Sequence, residues 1–379
     1  MESRKPRAGW DSVRSAAATS QMSGGVTTNR AGSVPASVAR GPDGAFEDEW
    51  AILKTVGVQR RQDSRPDCTA MHPLIRPVTP ADYPEVLNLW ERAFKPSQDY
   101  FIRYFDGSDP WYQEGDCLGL WLEGRLASAV HVCRRPLGWP GEILWCAALA
   151  NVATHPDFRR RGLSRELLRT ATDRLTGEGF AFSMLFSSQT GHYAPLGWEP
   201  IHTPRPVLRI REELEPAGFL FEPFVSDLDD SQIYAESPAR PLQLFRPEEY
   251  WSGWVIWLHA HREIQRLTVS GGGYAELECP EDLERPARLL EWRAADARAE
   301  AALLKKAALW AKARGKGELT LEAVPQWGGL AALAPLGEAE PNRGGHMMLR
   351  NVSLSEQRYR DVLELYRAGA ANWWPADGF

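Results

Sequence analysis

The residues best suited to chemistry in this sequence form an arginine-rich turn. An apolar run predicted to be a strand ends at Pro156. Three arginines and a glycine follow before a predicted helix begins, namely Arg159, Arg160, Arg161 and Gly162. Amides in the first turn of a helix have no acceptor within the helix, and the helix dipole is positive there. With three guanidinium groups that stay charged near pH 7, the turn predicts a binding site for a pyrophosphate.

A run of three arginines can also be no more than a solvated charge cluster. Its place between a strand and a helix, with a glycine at the turn, favours the anion site over that interpretation. The spacing fits neither of two common nucleotide motifs, because the turn has no GxxxxGK[ST] loop and no GxGxxG pattern.

The turn resembles motif A of the GNAT superfamily of N-acetyltransferases, [QR]-x-x-G-x-[GA]. Arg159, Gly162 and Ser164 occupy its first, fourth and sixth places, and the serine departs from the usual glycine or alanine. The resemblance extends over residues 73–201 and implies acetyl-CoA as cosubstrate. It implies that the backbone of Val152 and Thr154 binds the pantetheine amides in a V-shaped opening of the sheet. The implied diphosphate site consists of Arg159, Arg160, Arg161, Gly162, Leu163 and Ser164.

A second motif follows the next predicted strand. Tyr193, Gly197 and Trp198 match the pattern Y-x-x-x-G-[FYW] of the same superfamily. The resemblance implies that Tyr193 lies near the coenzyme sulfur, where a phenol could protonate the leaving thiolate as general acid. It also implies that Ser188 contacts the coenzyme. The alternative is a tyrosine that only packs the helix onto the sheet.

The general base is less well defined by the sequence. His131, His155 and His192 are chemically suitable, but none is placed by a motif. The arginine turn, a tandem second half and the terminal phenylalanine together resemble the enhanced-intracellular-survival (Eis) family. That resemblance implies that the C-terminal carboxylate, here on Phe379, acts as base. The alternative is that the aromatic tail simply packs on the second half.

Periodicity predicts the elements that must position these residues. Residues 71–211 have the order β-α-α-β-β-β-α-β-α-β, and the last part is predicted as two short strands, over 198–201 and 207–210. The fold class is α+β, a GNAT fold with a central mixed β-sheet flanked by helices. The predicted domains are an N-terminal extension at 1–70, either disordered or preceding a true start at Met71, a catalytic GNAT domain at 71–211, and a second domain at 212–379.

The second domain is predicted to be a degenerate GNAT-like copy of the first. The sequence Leu333-Ala334-Pro335-Leu336-Gly337 echoes Tyr193-Ala194-Pro195-Leu196-Gly197, and each follows a strand–helix–strand run. In this alignment Glu300 falls opposite the phosphate-binding turn, and Leu333 replaces the tyrosine. The copy is therefore predicted to be catalytically silent.

Composition sets outer limits on the function. A net charge of −6 argues against a nucleic-acid-binding protein. No apolar run is long enough to span a membrane. The five cysteines are scattered, so we expect no metal site, no disulfide framework and a reducing cytoplasm.

The sequence thus predicts a cytoplasmic acetyl-CoA-dependent N-acyltransferase that acts by direct attack of an amine. The acceptor is expected to be a small-molecule amine or a lysine or N-terminal amine, and a homo-oligomer is compatible with the sequence. Two alternatives stay open: a tandem acyltransferase of the mycothiol synthase type, and a non-catalytic acetyl-CoA sensor.

Overall fold

A computed structural model of the protein describes residues 73–215, 230–260, 262–270, 272–282 and 284–379. The predicted extension at 1–70 lies outside the described residues. The strands are β1 Leu74–Pro77, β2 Cys117–Leu122, β3 Arg125–Trp139, β4 Glu142–Thr154, β5 Phe182–Phe186, β6 Glu199–Ile210, β7 Ile264–Thr268, β8 Gly273–Glu278, β9 Ala287–Ala294, β10 Glu318–Leu321 and β11 Gly337–Asn351. They form one mixed sheet in the order β1-β2-β3-β4-β5-β11-β6-β10-β9-β8-β7.

Helices cover both faces of this sheet. They are α1 Tyr83–Phe94, α2 Gln98–Phe101, α3 Leu163–Gly177, α4 Thr190–Tyr193, α5 Asp230–Glu236, α6 Glu248–Tyr250, α7 Ile256–Ala260, α8 Ala297–Lys312 and α9 Glu356–Arg367. A π-helix, Trp251–Val255, joins α6 to α7. Across the described parts of the chain, no helix has both the length and the apolar character needed to cross a membrane. The predicted fold class is confirmed, and the order from β1 to β6 is the predicted one.

Two apolar cores lie on opposite faces of the first half of the sheet. Successive side chains of a strand point to opposite faces, and on β3 Ala129 belongs to one core whereas Val130 belongs to the other. Helix α3 covers one face with residues at helical spacing: Leu163, Leu167, Leu168, Ala171 and Leu175. Helix α1 covers the other face with Val86, Leu87, Leu89 and Trp90. Each such leucine stabilises the fold by roughly 1.5–3 kcal/mol.

The second half repeats the architecture of the first. The run β4–α3–β5–β6 is matched by β9–α8–β10–β11, and β10 pairs parallel to β9 as β5 pairs parallel to β4. The echoed motifs lie at equivalent places, since Gly197 precedes β6 and Gly337 begins β11. This repeat is consistent with the predicted second GNAT-like module.

The two halves exchange strands at the centre of the sheet. Strand β11 of the second half lies between β5 and β6, and β6 in turn pairs with β10. Gly337 permits the close approach at the start of β11, because a Cβ there would lie 1.9 Å from the carbonyl oxygen of Arg209. The prediction of two strands at 198–201 and 207–210 was wrong: β6 is continuous because β11 pairs along its length, and its prolines Pro204 and Pro206 lie where β10 does not pair.

A buried histidine on β3 makes the fold sensitive to acid. His131 is 1% exposed and is surrounded by the rings of Trp90, Tyr104, Phe105 and Tyr112. Burial, with a contribution from Arg135, lowers the pKa of His131 to about 3, whereas in the unfolded chain it is about 6.5. Between these values the unfolded chain binds more protons, so stability falls as the pH decreases.

Because of His131, we expect the free energy of unfolding to be about 2 kcal/mol lower at pH 5 than at pH 7. The variant His131→Phe should lack this part of the acid sensitivity, because a phenyl ring fits the same aromatic surroundings without titrating. Urea unfolding of both proteins at the two pH values measures the difference. Equal pH dependence in the two proteins would contradict the prediction.

Candidate active site

The sheet opens between β4 and β5. The two parallel strands pair over only three positions, from Cys146 opposite Phe182 to Ala148 opposite Met184. Strand β4 continues to Thr154 alongside β3, with a bulge at Asn151, whose φ of 52° is left-handed. In the described residues, the side of Val152 and Thr154 that faces away from β3 therefore has no neighbouring strand.

The arginine turn lies at the end of this opening. Arg159, Arg160 and Arg161 are exposed, and Arg159 Nε donates to the carbonyl oxygen of Thr154 at 3.2 Å. Arg161 Nη2 donates to the carbonyl of Asp157 at 3.3 Å. The carboxylate of Asp157 pairs with Arg125 at 3.0 Å, so it does not neutralise the three arginines of the turn.

The first turn of α3 is open to solvent. Its N-cap residue, Gly162, has a φ of 80°, and no side chain of the described residues caps the helix. Glycine suits this position because a side chain would be strained at such a φ, although a Cβ would meet no atom within 4 Å. Leu163 is buried in the core. The uncapped amides therefore face an opening rather than a protein acceptor.

Ser164 and His192 meet beside this turn. Ser164 Oγ lies 3.2 Å from His192 Nε2, so the hydroxyl that replaces the usual glycine or alanine has a partner from α4. Burial, with a smaller contribution from Arg165, lowers the pKa of His192. A neutral imidazole is therefore favoured, and it can accept a hydrogen bond from the serine. The sequence did not predict this contact.

Tyr193 lies on the α3 side of the sheet. Its ring is edge-on to Trp198, with centroids 6.3 Å apart, and to His192, with centroids 4.9 Å apart. Burial raises the pKa of Tyr193 to about 12, and the hydroxyl of Ser187 offsets part of the rise. The phenol therefore remains a proton donor at neutral pH. The neighbouring Ser188, the predicted coenzyme contact, is exposed.

The C-terminal residue packs at the end of β5 on the opposite side of the sheet. The ring centroid of Phe379 lies 5.5 Å from that of Phe186, the last residue of β5, and 5.4 Å from that of Trp373. Ser187, which contacts Tyr193, follows Phe186 directly in the chain. The two predicted catalytic residues thus approach the same end of β5 from its two faces.

The contacts of the other two candidate bases, His131 and His155, indicate structural roles. His131 is enclosed in the aromatic cluster of the core. His155 Nδ1 accepts from the backbone amide of Asp157 at 3.3 Å and so caps the short turn Pro156–Phe158. Among the described residues, no group of three His, Cys, Asp or Glu side chains could hold a metal ion.

Comparison with known proteins shows a likeness over residues 74–201. Residues 74–201 match the family model described as an acetyltransferase (GNAT) domain. Over these residues the chain is therefore similar to a GNAT domain. No curated protein sequence matches the chain significantly.

Solved structures extend the likeness beyond the GNAT domain. Eis1 from Mycobacterium abscessus is 17% identical, with 74% of each chain covered and a TM-score of 0.55. A GCN5-related N-acetyltransferase from Kribbella flavida is 19% identical, covering 74% of this chain and 71% of that one, with a TM-score of 0.53. A probable N-acyltransferase from Enterococcus faecalis V583 is 16% identical, covering 74% and 73%, with a TM-score of 0.55. The chain thus has a GNAT, Eis-like fold.

The second module differs from the GNAT domain at the equivalent helix start. Asp296 caps α8 by accepting from the amide of Ala299 at 2.8 Å. Glu300 is 2% exposed and accepts from the backbone amides of Gln326 and Trp327 at 2.9 and 2.8 Å. Since carboxylates already occupy this helix start, it is poorly suited to a phosphate. Leu333, which replaces the tyrosine, is fully buried.

Proposed function

We propose that the protein is an acetyl-CoA-dependent N-acetyltransferase that transfers the acetyl group to a primary amine by direct attack. The observation that carries this proposal is the uncapped start of α3, bordered by three exposed arginines and located at the opening between β4 and β5. Of the two helix starts that follow a parallel strand in the repeated architecture, this one has no carboxylate cap.

The chain offers complementary groups along an extended coenzyme. In the proposed complex, the diphosphate binds the amides of Gly162, Leu163 and Ser164, with Arg159, Arg160 and Arg161 around it. The pantetheine arm extends along Val152 and Thr154 like an added strand. Binding at Thr154 would compete with Arg159 for the carbonyl oxygen that the arginine contacts. Ser188 lies just beyond β5 and is proposed as a further contact.

The reaction needs one proton acceptor and one proton donor. The amine nitrogen forms a bond to the carbonyl carbon of the thioester, and the carbon–sulfur bond breaks. The amine loses its proton to the carboxylate of Phe379, and the leaving thiolate is protonated by the phenol of Tyr193. No acyl-enzyme forms, because the amine attacks the thioester directly. A donor and an acceptor on opposite faces of one strand end suit these two roles.

The acceptor class is tested by turnover with a panel of amines. Release of the coenzyme thiol would be followed with polyamines, aminoglycosides and lysine peptides, and with a sugar-linked cysteine for the mycothiol synthase alternative. Turnover with one amine class supports the proposal and names the acceptor. Tight coenzyme binding without turnover on any acceptor would instead favour an acetyl-CoA sensor.

The phosphate site is tested by removing its charges. We expect the triple variant Arg159→Ala, Arg160→Ala, Arg161→Ala to bind acetyl-CoA about 100-fold more weakly. A charge-assisted hydrogen bond contributes about 1.5–3 kcal/mol, and solvent screening reduces this contribution for exposed arginines. Isothermal titration calorimetry measures the affinity. The affinity of the native protein should also fall with added salt, and that of the variant much less.

A matched control is available at the second module. Arg298 is exposed at the start of α8, where Asp296 already caps the helix, so Arg298→Ala should bind acetyl-CoA like the native protein. The exposed arginines contribute little to stability, so both variants should fold. Unchanged acetyl-CoA affinity in the triple variant would contradict the proposed coenzyme site and, with it, the function.

A further inference from the structure

The last residues of the chain, 373–379, form a buried tail segment. Trp374 is 1% exposed, and its ring packs on Trp292 of β9 with centroids 5.2 Å apart. The guanidinium of Arg240 lies over both rings, 5.4 and 5.5 Å from their centroids. The short turn Pro375–Asp377 follows and leads to Phe379. The second module therefore provides the surface on which the tail segment lies.

A buried ion pair fixes the turn of the tail segment. Arg246 Nε donates to Asp377 Oδ1 at 2.7 Å, and its two terminal nitrogens donate to Glu291 at 2.9 and 2.8 Å. The side chains of Arg246 and Asp377 are 0% and 2% exposed. Moving the tail away would leave a buried charge without its partner, which is strongly unfavourable. This pair therefore opposes release of the tail segment.

Two aromatic side chains hold the end of the tail through its backbone. Trp254 Nε1 donates to the carbonyl oxygen of Gly378 at 2.8 Å, and the Tyr250 hydroxyl donates to the carbonyl of Ala376 at 3.4 Å. The Trp254 bond is made to the peptide group that precedes Phe379, so it limits where the terminal carboxylate can lie. Trp254 belongs to the π-helix Trp251–Val255, a rare conformation that is frequent at functional sites.

Trp254 also contacts the GNAT domain. Its ring is edge-on to Tyr104, with centroids 5.3 Å apart, and the guanidinium of Arg135 on β3 lies 5.3 Å from its centroid. Arg135 is itself fixed by Asp109 at 2.7 Å. The indole that donates to the carbonyl of Gly378 is thus also fixed by contacts with the domain that contains Tyr193.

We propose that Trp254 is a positioning residue that holds the Phe379 carboxylate at the opening between β4 and β5, with Arg246 holding the turn before it. This inference rests on the proposed function, because it concerns the placement of the proposed base. It gives the silent second module a role in catalysis: the module and the segment that leads into it orient the end of the chain in the site of the first.

The test removes the indole N–H contact. Trp254→Phe keeps an aromatic ring in the core but cannot donate to Gly378. We expect carboxypeptidase Y to release Phe379 at least 10-fold faster from this variant than from the native protein, as followed by intact mass. We expect kcat for acetyl transfer to fall about 10- to 100-fold, as for a catalytic group that is slightly misplaced, with an unchanged affinity for acetyl-CoA. Arg246→Lys, which keeps the charge beside Asp377 but loses the forked contact to Glu291, should show the same changes to a smaller degree.

A matched control separates positioning from a general loss of stability. Trp310→Phe removes a similar volume from a buried site on α8, 2% exposed, where the indole N–H has no hydrogen-bond partner among the described residues. The rate of Phe379 release and kcat should both equal those of the native protein.

If Trp254→Phe and Arg246→Lys both keep native release and native kcat, while deletion of Phe379 lowers kcat, the positioning role is overturned and the proposed function stands. If deletion of Phe379 leaves kcat unchanged, the carboxylate is not the base, and both this inference and that part of the proposed mechanism are overturned.

Discussion

Extending the chain by Gly-Ser beyond Phe379 is expected to lower kcat for acetyl transfer by roughly 10²–10⁴-fold, the range for loss of a general base. Two added residues move the terminal carboxylate up to about 7 Å from its native position. The packing of Phe379 against Phe186 and Trp373 can remain, so the fold should be preserved. Deleting Phe379 should have a similar effect, because the carboxylate then belongs to Gly378. Steady-state release of the coenzyme thiol measures kcat.

The control for this experiment keeps the carboxylate and changes the ring. Phe379→Leu retains an apolar side chain and the native chain length, so its kcat should stay within a few-fold of the native value. Acetyl-CoA affinity should be unchanged in all three variants, since the tail packs on the face of the sheet opposite α3. Native turnover by the extended chain would contradict the role of the carboxylate and would favour His192 as the base.

Replacing Tyr193 by phenylalanine is expected to lower kcat by roughly 10²–10³-fold through loss of the general acid. The ring contacts with Trp198 and His192 remain, so acetyl-CoA affinity should change little. Because burial raises the pKa of Tyr193 to about 12, the phenol is protonated at neutral and mildly basic pH. We therefore expect no loss of kcat from its ionisation as the pH rises from 7 to 9. Rate profiles of the native protein and the variant over this range check both points.

Tyr366→Phe is a suitable comparison, because its hydroxyl is buried and has no hydrogen-bond partner among the described residues. Its kcat should equal that of the native protein. If Tyr193→Phe also retained native kcat, the leaving thiolate would not depend on the phenol, and Tyr193 would have only the packing role that its contacts with Trp198 already provide.

Most of the first module could be predicted because its elements are local. Helix α3 follows from apolar residues at helical spacing, and the burial of this stripe confirms the prediction: Leu163, Leu167, Leu168, Ala171 and Leu175. The hairpin of β2 and β3 follows from two apolar runs around Glu123 and Gly124, both of which have positive φ. In both cases residues close together in the chain determine the element, so the sequence alone is sufficient.

The centre of the sheet could not be predicted in this way. Strand β11 contains Pro341 and the pair Gly344–Gly345, which argue against a strand when only local preference is considered. It forms because β5 and β6 each offer it an unpaired edge, a fact of tertiary structure that the sequence does not display. The same partner makes β6 one strand. Helices α5, α6 and α7, each seven residues or shorter, were not predicted either.

The candidate site was predicted best where a motif fixes the backbone. Gly162 and the arginine turn have the predicted strand–turn–helix surroundings, and Tyr193 and Phe379 approach one strand end. The roles of these residues remain predictions. Ser187 and Trp254 were not predicted as part of the site. His192 was a candidate base, but its contact with Ser164 was not predicted, because the two segments are distant in sequence. The two residues lie 28 positions apart in the chain.

The strand exchange between the two halves has a consequence for dissecting this protein. A fragment ending near residue 211 would contain β5 and β6 but not β11, so a gap one strand wide would divide its sheet and expose two unpaired edges. A fragment beginning there would lack β6 and leave β10 and β11 without their common neighbour. Neither half is a separable unit, and we expect the duplicated chain to unfold cooperatively, as one body.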